Sequence, residues 1–257
     1  MAAAEIESVL PELFRGIDLA GVFLNGVLGG IIARRRRFDA VGFALLAIVS
    51  ALGGGMLRDT LLQAGTPVAL TDPYYLGTAL AGAAVAFVIR LDGTWWNRFF
   101  ILADGMVLGC WAATGAAKTL SLGLGVLPAV LLGVTTAVGG GMIRDVAVGQ
   151  VPAVFGGNTL YATSAIFASG ALIAVDAAGE PELGMLAAIV VGAGLSVLAR
   201  WRNWRLPEHG DWSLRLSPTQ LRALTRHRRE RGDDVHSLRP RRGEGRRRRR
   251  RMPGEPR

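Results

Sequence analysis

The stretch Gly53-Gly54-Gly55-Met56-Leu57-Arg58-Asp59 recurs 86 positions later as Gly139-Gly140-Gly141-Met142-Ile143-Arg144-Asp145. Each copy interrupts a long apolar run. Glycine in a helix interior costs roughly 1 kcal/mol relative to alanine, so three in a row mark a weak point. An arginine near the centre of a membrane helix costs at least about 2.5–3.5 kcal/mol. Both features, twice and in matching places, predict a membrane protein built from two similar halves around a polar passage.

The offset extends beyond the glycines. Asp18 matches Asp104, Gly29 matches Gly115, Leu45-Leu46 matches Leu131-Leu132, Ala51 matches Ala137, Tyr75 matches Tyr161 and Ala79 matches Ala165. A shared bias toward Gly, Ala and Leu produces some of these pairs. It does not readily produce Asp, Arg-Asp and Tyr at one common spacing.

Composition agrees. The chain is 51% hydrophobic with a mean hydropathy of +0.35, yet its formal net charge is +9. The charge is segregated: residues 119–143 carry no ionisable side chain, 38–57 carry only Asp39, and arginines crowd the end of the sequence. That pattern is a membrane body with a basic tail. The single cysteine, Cys110, excludes an intrachain disulfide and a cysteine metal cluster, and its apolar surroundings predict a buried thiol. No cofactor or metal site is expected. Glu5, Glu7 and Glu12 stand where a cleavable signal has basic residues, so none is expected.

A crossing needs about 20 apolar residues. Seven are read: about Ile17–Ala33, Phe38–Leu62 interrupted at Gly53, Tyr74–Leu91, Phe99–Thr119, Leu124–Val148 interrupted at Gly139, Thr159–Val175 and Leu183–Arg200. With seven spans, Arg34–Arg37, Arg90, Arg98 and the basic tail fall on one face, opposite Asp72, Lys118, Asp176, Glu180 and Glu182. The positive-inside rule then places the N-terminus outside and the C-terminus in the cytoplasm of a multi-pass protein of the cell membrane. Three spans per repeat is an odd number, so consecutive repeats insert in opposite directions. The expected fold class is all-α: a polytopic membrane protein with seven transmembrane helices, as two inverted three-helix repeats plus a seventh helix. Its parts are an N-terminal segment 1–16, repeats 17–91 and 99–177, a seventh helix 183–200 and a basic disordered tail 207–257.

The triplets Gly53–Gly55 and Gly139–Gly141 have two readings. One is a kink or unwinding at the narrowest part of a conduit, freeing carbonyls toward water. The other is a close helix crossing, which small residues also permit. Duplication beside Arg-Asp points to the conduit. Neighbours on a helix lie about 100° apart, so Arg58 need not pair with Asp59, nor Arg144 with Asp145. Depth in the membrane suggests Asp18–Arg58 and Asp104–Arg144 contacts instead, which either fasten helices or face the permeant species. Asp59 and Asp145 then supply negative charge at the two mouths. Ser50, Thr135 and Thr136 offer hydroxyl oxygens to the conduit or, as such residues commonly do in helices, bond their own backbone. Tyr75 and Tyr161 read as interfacial anchors. Pro67 and Pro152 mark the ends of the interrupted helices.

The twin Gly-Gly-Gly-x-x-Arg-Asp motifs, the proline after each, the downstream tyrosines and the seven-span plan resemble the bacterial members of the trimeric intracellular cation channel family, also known under a glycine-transporter name. The similarity covers about residues 14–205. It implies a homotrimer with an hourglass path in each protomer, lined by kinked second and fifth spans. It further implies monovalent cations, chiefly potassium, as permeant species, and membrane lipids between protomers. By motif it assigns the pore to the two glycine triplets with Arg58, Asp59, Arg144 and Asp145. The arginine-rich extension after Pro207 departs from the compact members.

A weakly selective carrier of small amino acids such as glycine shares this scaffold and would give the arginines a carboxylate to bind. A nonconducting membrane scaffold is the third class. An enzyme is disfavoured: His209, His227 and His236 all lie in the tail, outside any triad or ligand setting. The run Arg246–Arg251 suggests disorder, with a short helix around Pro218–Arg231, and contact with the anionic cytoplasmic leaflet at about 1 kcal/mol per basic residue. No nucleic-acid motif or aromatic interleaving accompanies it.

Overall fold

The computed structural model describes residues 2–91, 93–155 and 160–204. The expected tail, with its helix and its histidines, lies outside them. Among the described residues the regular structure is all helical. It comprises α1 (Ala2–Arg35), α2 (Ala40–Leu62), a short α3 (Val68–Thr71), α4 (Pro73–Val88), α5 (Thr94–Ser121), α6 (Val126–Ala147), a 3₁₀ turn (Ala153–Phe155), α7 (Tyr161–Asp176) and α8 (Pro181–Trp201).

Local chemistry sets several ends. Asp39, the lone ionisable residue of its apolar run, is the N-cap of α2, and its carboxylate accepts from the Gly42 amide at 2.8 Å. Asp72 caps α4 in the same way by accepting from Tyr74 N at 3.0 Å, with Pro73 in the first turn, where a missing N–H does no harm. Gln63 closes α2 in the left-handed region at φ 49°, its N–H bonded to Asp59 O.

Five helices are long and apolar enough to cross a membrane: Leu10–Arg35 within α1, α2, α5, α6 and α8. The shorter apolar helices α4 and α7 have 16 residues each. At 1.5 Å per residue that is about 24 Å, a little less than a hydrocarbon core of about 30 Å. Leu45, Leu127, Phe167 and Val190 are all more than half exposed on the outer faces, as lipid-facing side chains require.

The helices pack as two bundles, α1 with α2 and α4, and α5 with α6 and α7; α8 lies against α5 and α7. The middle of α1 meets the second half of α5, since Asp18 contacts Trp111, while the later turns of α1, at Leu28 and Ile32, share a cavity with Asp104 in the first half of α5. Helices α1 and α5 therefore run antiparallel, and the repeats are inverted.

The bundles join where α2 crosses α6, at the glycine triplets. A Cβ added at Gly53 would meet Gly140 Cα at 3.2 Å, and one at Gly139 would meet Gly54 Cα at 3.0 Å. A Cβ at Gly54 would strike the Thr136 carbonyl, and one at Gly140 the Ser50 carbonyl. Exchanging the repeats maps each contact onto the other, so a pseudo-twofold axis passes through the crossing. The expected unwinding is absent: α2 and α6 keep α-helical backbone from Gly53 to Gly55 and from Gly139 to Gly141. Four of the six glycines are spent on backbone contact between helices, the packing use of small residues. Their helical hydrogen bonds stay satisfied, so no carbonyl is freed toward water.

Candidate functional site

Each side of the crossing holds a cavity. The first, about 310 Å³, is lined by Asp18, Gly55, Arg58, Asp59, Tyr75, Trp111, Thr136 and Lys118 among others. The second, about 220 Å³, is lined by Asp104, Gly141, Arg144, Asp145, Tyr161, Asn25 and Arg200 among others. The shared motif residues lie exactly one repeat apart in the two linings, so the cavities are images of one another across the pseudo-twofold axis. The third glycine of each triplet behaves unlike the first two. A Cβ at Gly55 or Gly141 would meet only the guanidinium of its own helix, Arg58 Nη2 at 3.9 Å or Arg144 Nη2 at 3.5 Å. Two glycines of each triplet pack, and the third opens onto the cavity.

The charges are tied locally. Arg58 Nε donates to Asp59 Oδ1 at 2.8 Å, both side chains being buried. Lys118, near the end of α5, donates to the same oxygen at 2.7 Å. The second oxygen, Oδ2, accepts the Val68 amide at 3.1 Å and so holds the start of α3 against α2. The other motif repeats the plan: Arg144 Nε and Nη2 donate to Asp145 Oδ1 at 3.0 and 2.8 Å, and Oδ2 accepts Ala153 N at 3.3 Å, at the start of the 3₁₀ turn. A buried ion is tolerated only when paired and hydrogen-bonded, and each motif aspartate meets that condition.

The pairings expected from membrane depth are therefore corrected. Arg58 pairs with Asp59, not Asp18, and Arg144 with Asp145, not Asp104. Cβ directions 100° apart do not keep a long arginine from folding back onto its neighbour. Asp18 is held by neutral donors instead, Tyr75 Oη at 2.5 Å on Oδ2 and Trp111 Nε1 at 2.7 Å on Oδ1. Tyr161 Oη donates to Asp104 Oδ1 at 3.1 Å, and Arg200 Nη2 stands 3.7 Å from Oδ2. The tyrosine hydroxyls face inward onto carboxylates, where an interfacial anchor would turn them to headgroups.

The hydroxyl residues divide. Thr135 and Thr136 donate to the carbonyls of Leu131 and Leu132 at 2.8 and 2.6 Å, closing on their own helix. Thr136 nonetheless lines the first cavity, whereas its repeat counterpart Ser50 receives Arg144 Nη1 at 3.4 Å. Each side thus borrows a hydroxyl from the opposite repeat. Trp111, Lys118, Asn25 and Arg200 were not among the sequence candidates. The 86-residue offset sets Trp111 opposite Asn25 and Lys118 opposite Ile32, so a search for matched residues passes over them. The polarity of Asn25 and Trp111 at one shared position was the available signal.

Two antiparallel three-helix repeats that enclose paired charged cavities about a glycine crossing define a polytopic membrane protein built by inverted duplication. A family model described as Glycine transporter matches residues 16–90 and 101–177. A UPF0126 membrane protein from Deinococcus radiodurans is 37% identical over 203 residues, 77% of this chain and 93% of that one. Among solved structures, a chain from work on the structural basis for conductance through TRIC cation channels superposes with a TM-score of 0.70 at 29% identity, covering 79% of this chain and all but 1% of that one (99%). The TRIC trimeric intracellular cation channel orthologue from Rhodobacter sphaeroides gives 0.67 at 30% identity, covering 74% and 98%. The chain belongs to the UPF0126, or glycine-transporter, family, and its fold is that of the TRIC-type channels.

Proposed function

We propose that the protein is a channel for monovalent cations, potassium foremost, with one path in each protomer of a homotrimer. The observation that carries this reading is the pair of repeat-related cavities on either side of the α2–α6 crossing, each lined by carboxylates and by a side-chain-free glycine, Gly55 or Gly141. Carboxylates attract cations in a low-dielectric vestibule. Arginines paired to aspartates present little net positive charge to oppose them. The likeness to TRIC channels supports the same reading. Passage requires the backbones at Gly53–Gly54 and Gly139–Gly140, in contact here, to separate. The arginine asymmetry of the loops supports a cell-membrane location with the first cavity facing outward and the second facing the cytoplasm. The basic tail then lies on the cytoplasmic leaflet.

A second reading has one observation in its favour. Each cavity holds two acids and two bases, a set that also complements a zwitterion such as glycine. Recording from purified protein in a planar bilayer separates the two. A channel gives current that reverses at the potassium equilibrium potential and ignores added glycine. Saturable glycine uptake into liposomes without such current overturns the channel and favours the carrier.

A further inference from the structure

The inverted repeat would make the two halves of the path equivalent, but two features break the equivalence: Lys118, whose repeat position is Ile32 and whose ammonium is spent on Asp59, and α8, which has no counterpart in the repeat and brings a cation to Asp104. Helix α8 is brought against α5 by close backbone contact. A Cβ at Gly192 would meet Gly109 Cα at 2.6 Å, and one at Gly109 would meet Ile189 Cα at 2.7 Å. That crossing fixes the last turn of α8 beside the first half of α5 and carries Arg200 to Asp104.

The exchange at the carboxylates is specific. Asp18 has both oxygens occupied by neutral donors, Tyr75 and Trp111, so its charge is not cancelled by an ionic partner among the described residues. At Asp104 the tyrosine contact is kept through Tyr161, but the tryptophan position is Asn25. Asn25 is too short for that role and turns its amide to Gly21 O at 3.2 Å. Asp104 Oδ2, the oxygen left over, faces the Arg200 guanidinium at 3.7 Å. A fixed cation stands where the other side has an indole N–H. Arg200 also lines a neighbouring chamber of about 480 Å³ with Leu28, Arg35, Phe100 and Asp104. Leu28, Asp104 and Arg200 are common to the two chambers, so the ion pair stands at their junction.

We propose that Arg200 is a built-in counter-cation for Asp104, which neutralises the carboxylate whose repeat counterpart Asp18 is held by neutral donors alone, and so makes cation passage easier from the Asp18 face than from the Asp104 face. The inference rests on the channel reading. A carboxylate without an ionic partner raises the local concentration of cations, and one held by a guanidinium does not. The Arg200 side chain is one-third exposed (36%), so replacing it leaves the buried core in place.

The test is bilayer recording in symmetric potassium chloride, with channel orientation set by one-sided capture of an affinity tag appended to the C-terminus. The unmodified protein passes more current when cations enter from the Asp18 face. In Arg200→Gln the current entering from the Asp104 face rises about twofold or more and the asymmetry falls, while Arg200→Lys keeps it. In Arg200→Cys a cationic methanethiosulfonate restores the original ratio and an anionic one does not; Cys110 is buried and stays silent. An unchanged current ratio in Arg200→Gln, or equal loss in both directions at normal thermal stability, overturns the proposal and leaves the channel reading standing. No current in the unmodified protein overturns the channel reading, and this inference with it.

Discussion

Tyr75 donates its hydroxyl hydrogen to Asp18 across 57 residues of chain, and the repeat partner Tyr161 does the same to Asp104 across another 57. The bond fastens the start of the third membrane helix of each repeat, α4 or α7, to the interior of its first, α1 or α5. A hydrogen bond to a charged acceptor is worth about 1.5–3 kcal/mol. Tyr75→Phe is therefore expected to lower stability by that amount in detergent thermal melts. Because Trp111 shares the Asp18 carboxylate, Trp111→Phe combined with Tyr75→Phe departs from additivity by about 0.5–3 kcal/mol. A Tyr75→Phe protein that melts like the original returns the tyrosine to an interfacial role.

The glycine triplets make a positional prediction. Gly54→Ala and Gly140→Ala drive a methyl into the carbonyls of Thr136 and Ser50. Helix backbone cannot swing aside as a side chain does, so these variants lose about 1–3 kcal/mol. Gly55→Ala and Gly141→Ala meet nothing closer than a flexible guanidinium, and they gain up to about 1 kcal/mol of helix propensity. Melting temperatures of the four single variants decide it. Equal losses at all four positions contradict the division between packing and cavity-facing glycines.

Asp59 is the most loaded acceptor of the first cavity, serving Arg58, Lys118 and the Val68 amide together. Asp59→Asn strands two cations and loosens α3, and is expected to cost about 3–5 kcal/mol. Lys118→Met removes one partner of three and costs much less, because its ammonium is partly exposed. The charge swap Asp18→Arg with Arg58→Asp is expected to rescue neither single variant, since the two residues have other partners. Rescue in the swap would revive the depth-based pairing. Chemical unfolding of these five variants in micelles, the two single charge reversals included, supplies the comparison.

Much of this architecture was legible because duplication constrains both copies. Asp18 with Asp104, Tyr75 with Tyr161 and the two Arg-Asp pairs stood at one offset, and the structure brings each into the same relative place. Two kinds of information were hidden. Helix continuity at the triplets depends on the facing backbone: three glycines weaken an isolated helix, but α6 fills the space beside α2, and packing outweighs a propensity deficit of about 1 kcal/mol per residue. Ion pairing depends on how far flexible side chains reach, which Arg58 shows by curling onto Asp59. Lys118, Trp111 and Arg200 escaped for a different reason. They are the residues by which the two halves differ, so a search for likeness could not find them.

The two cavities also predict sidedness. Cys110 is 1% exposed, so the folded protein is expected to ignore a membrane-impermeant maleimide. That silence makes Gly55→Cys and Gly141→Cys clean reporters, because each lines one cavity and has room for a larger side chain. In intact cells the reagent is expected to label Gly55→Cys from outside, while Gly141→Cys reacts only after the membrane is opened. The expectation follows from inversion: matching motifs, one repeat apart, must face opposite compartments if α1 and α5 run antiparallel across the bilayer. Labelling of both positions from one side would contradict the inverted arrangement, and labelling in the reverse order would keep the inversion but turn the protein over in the membrane.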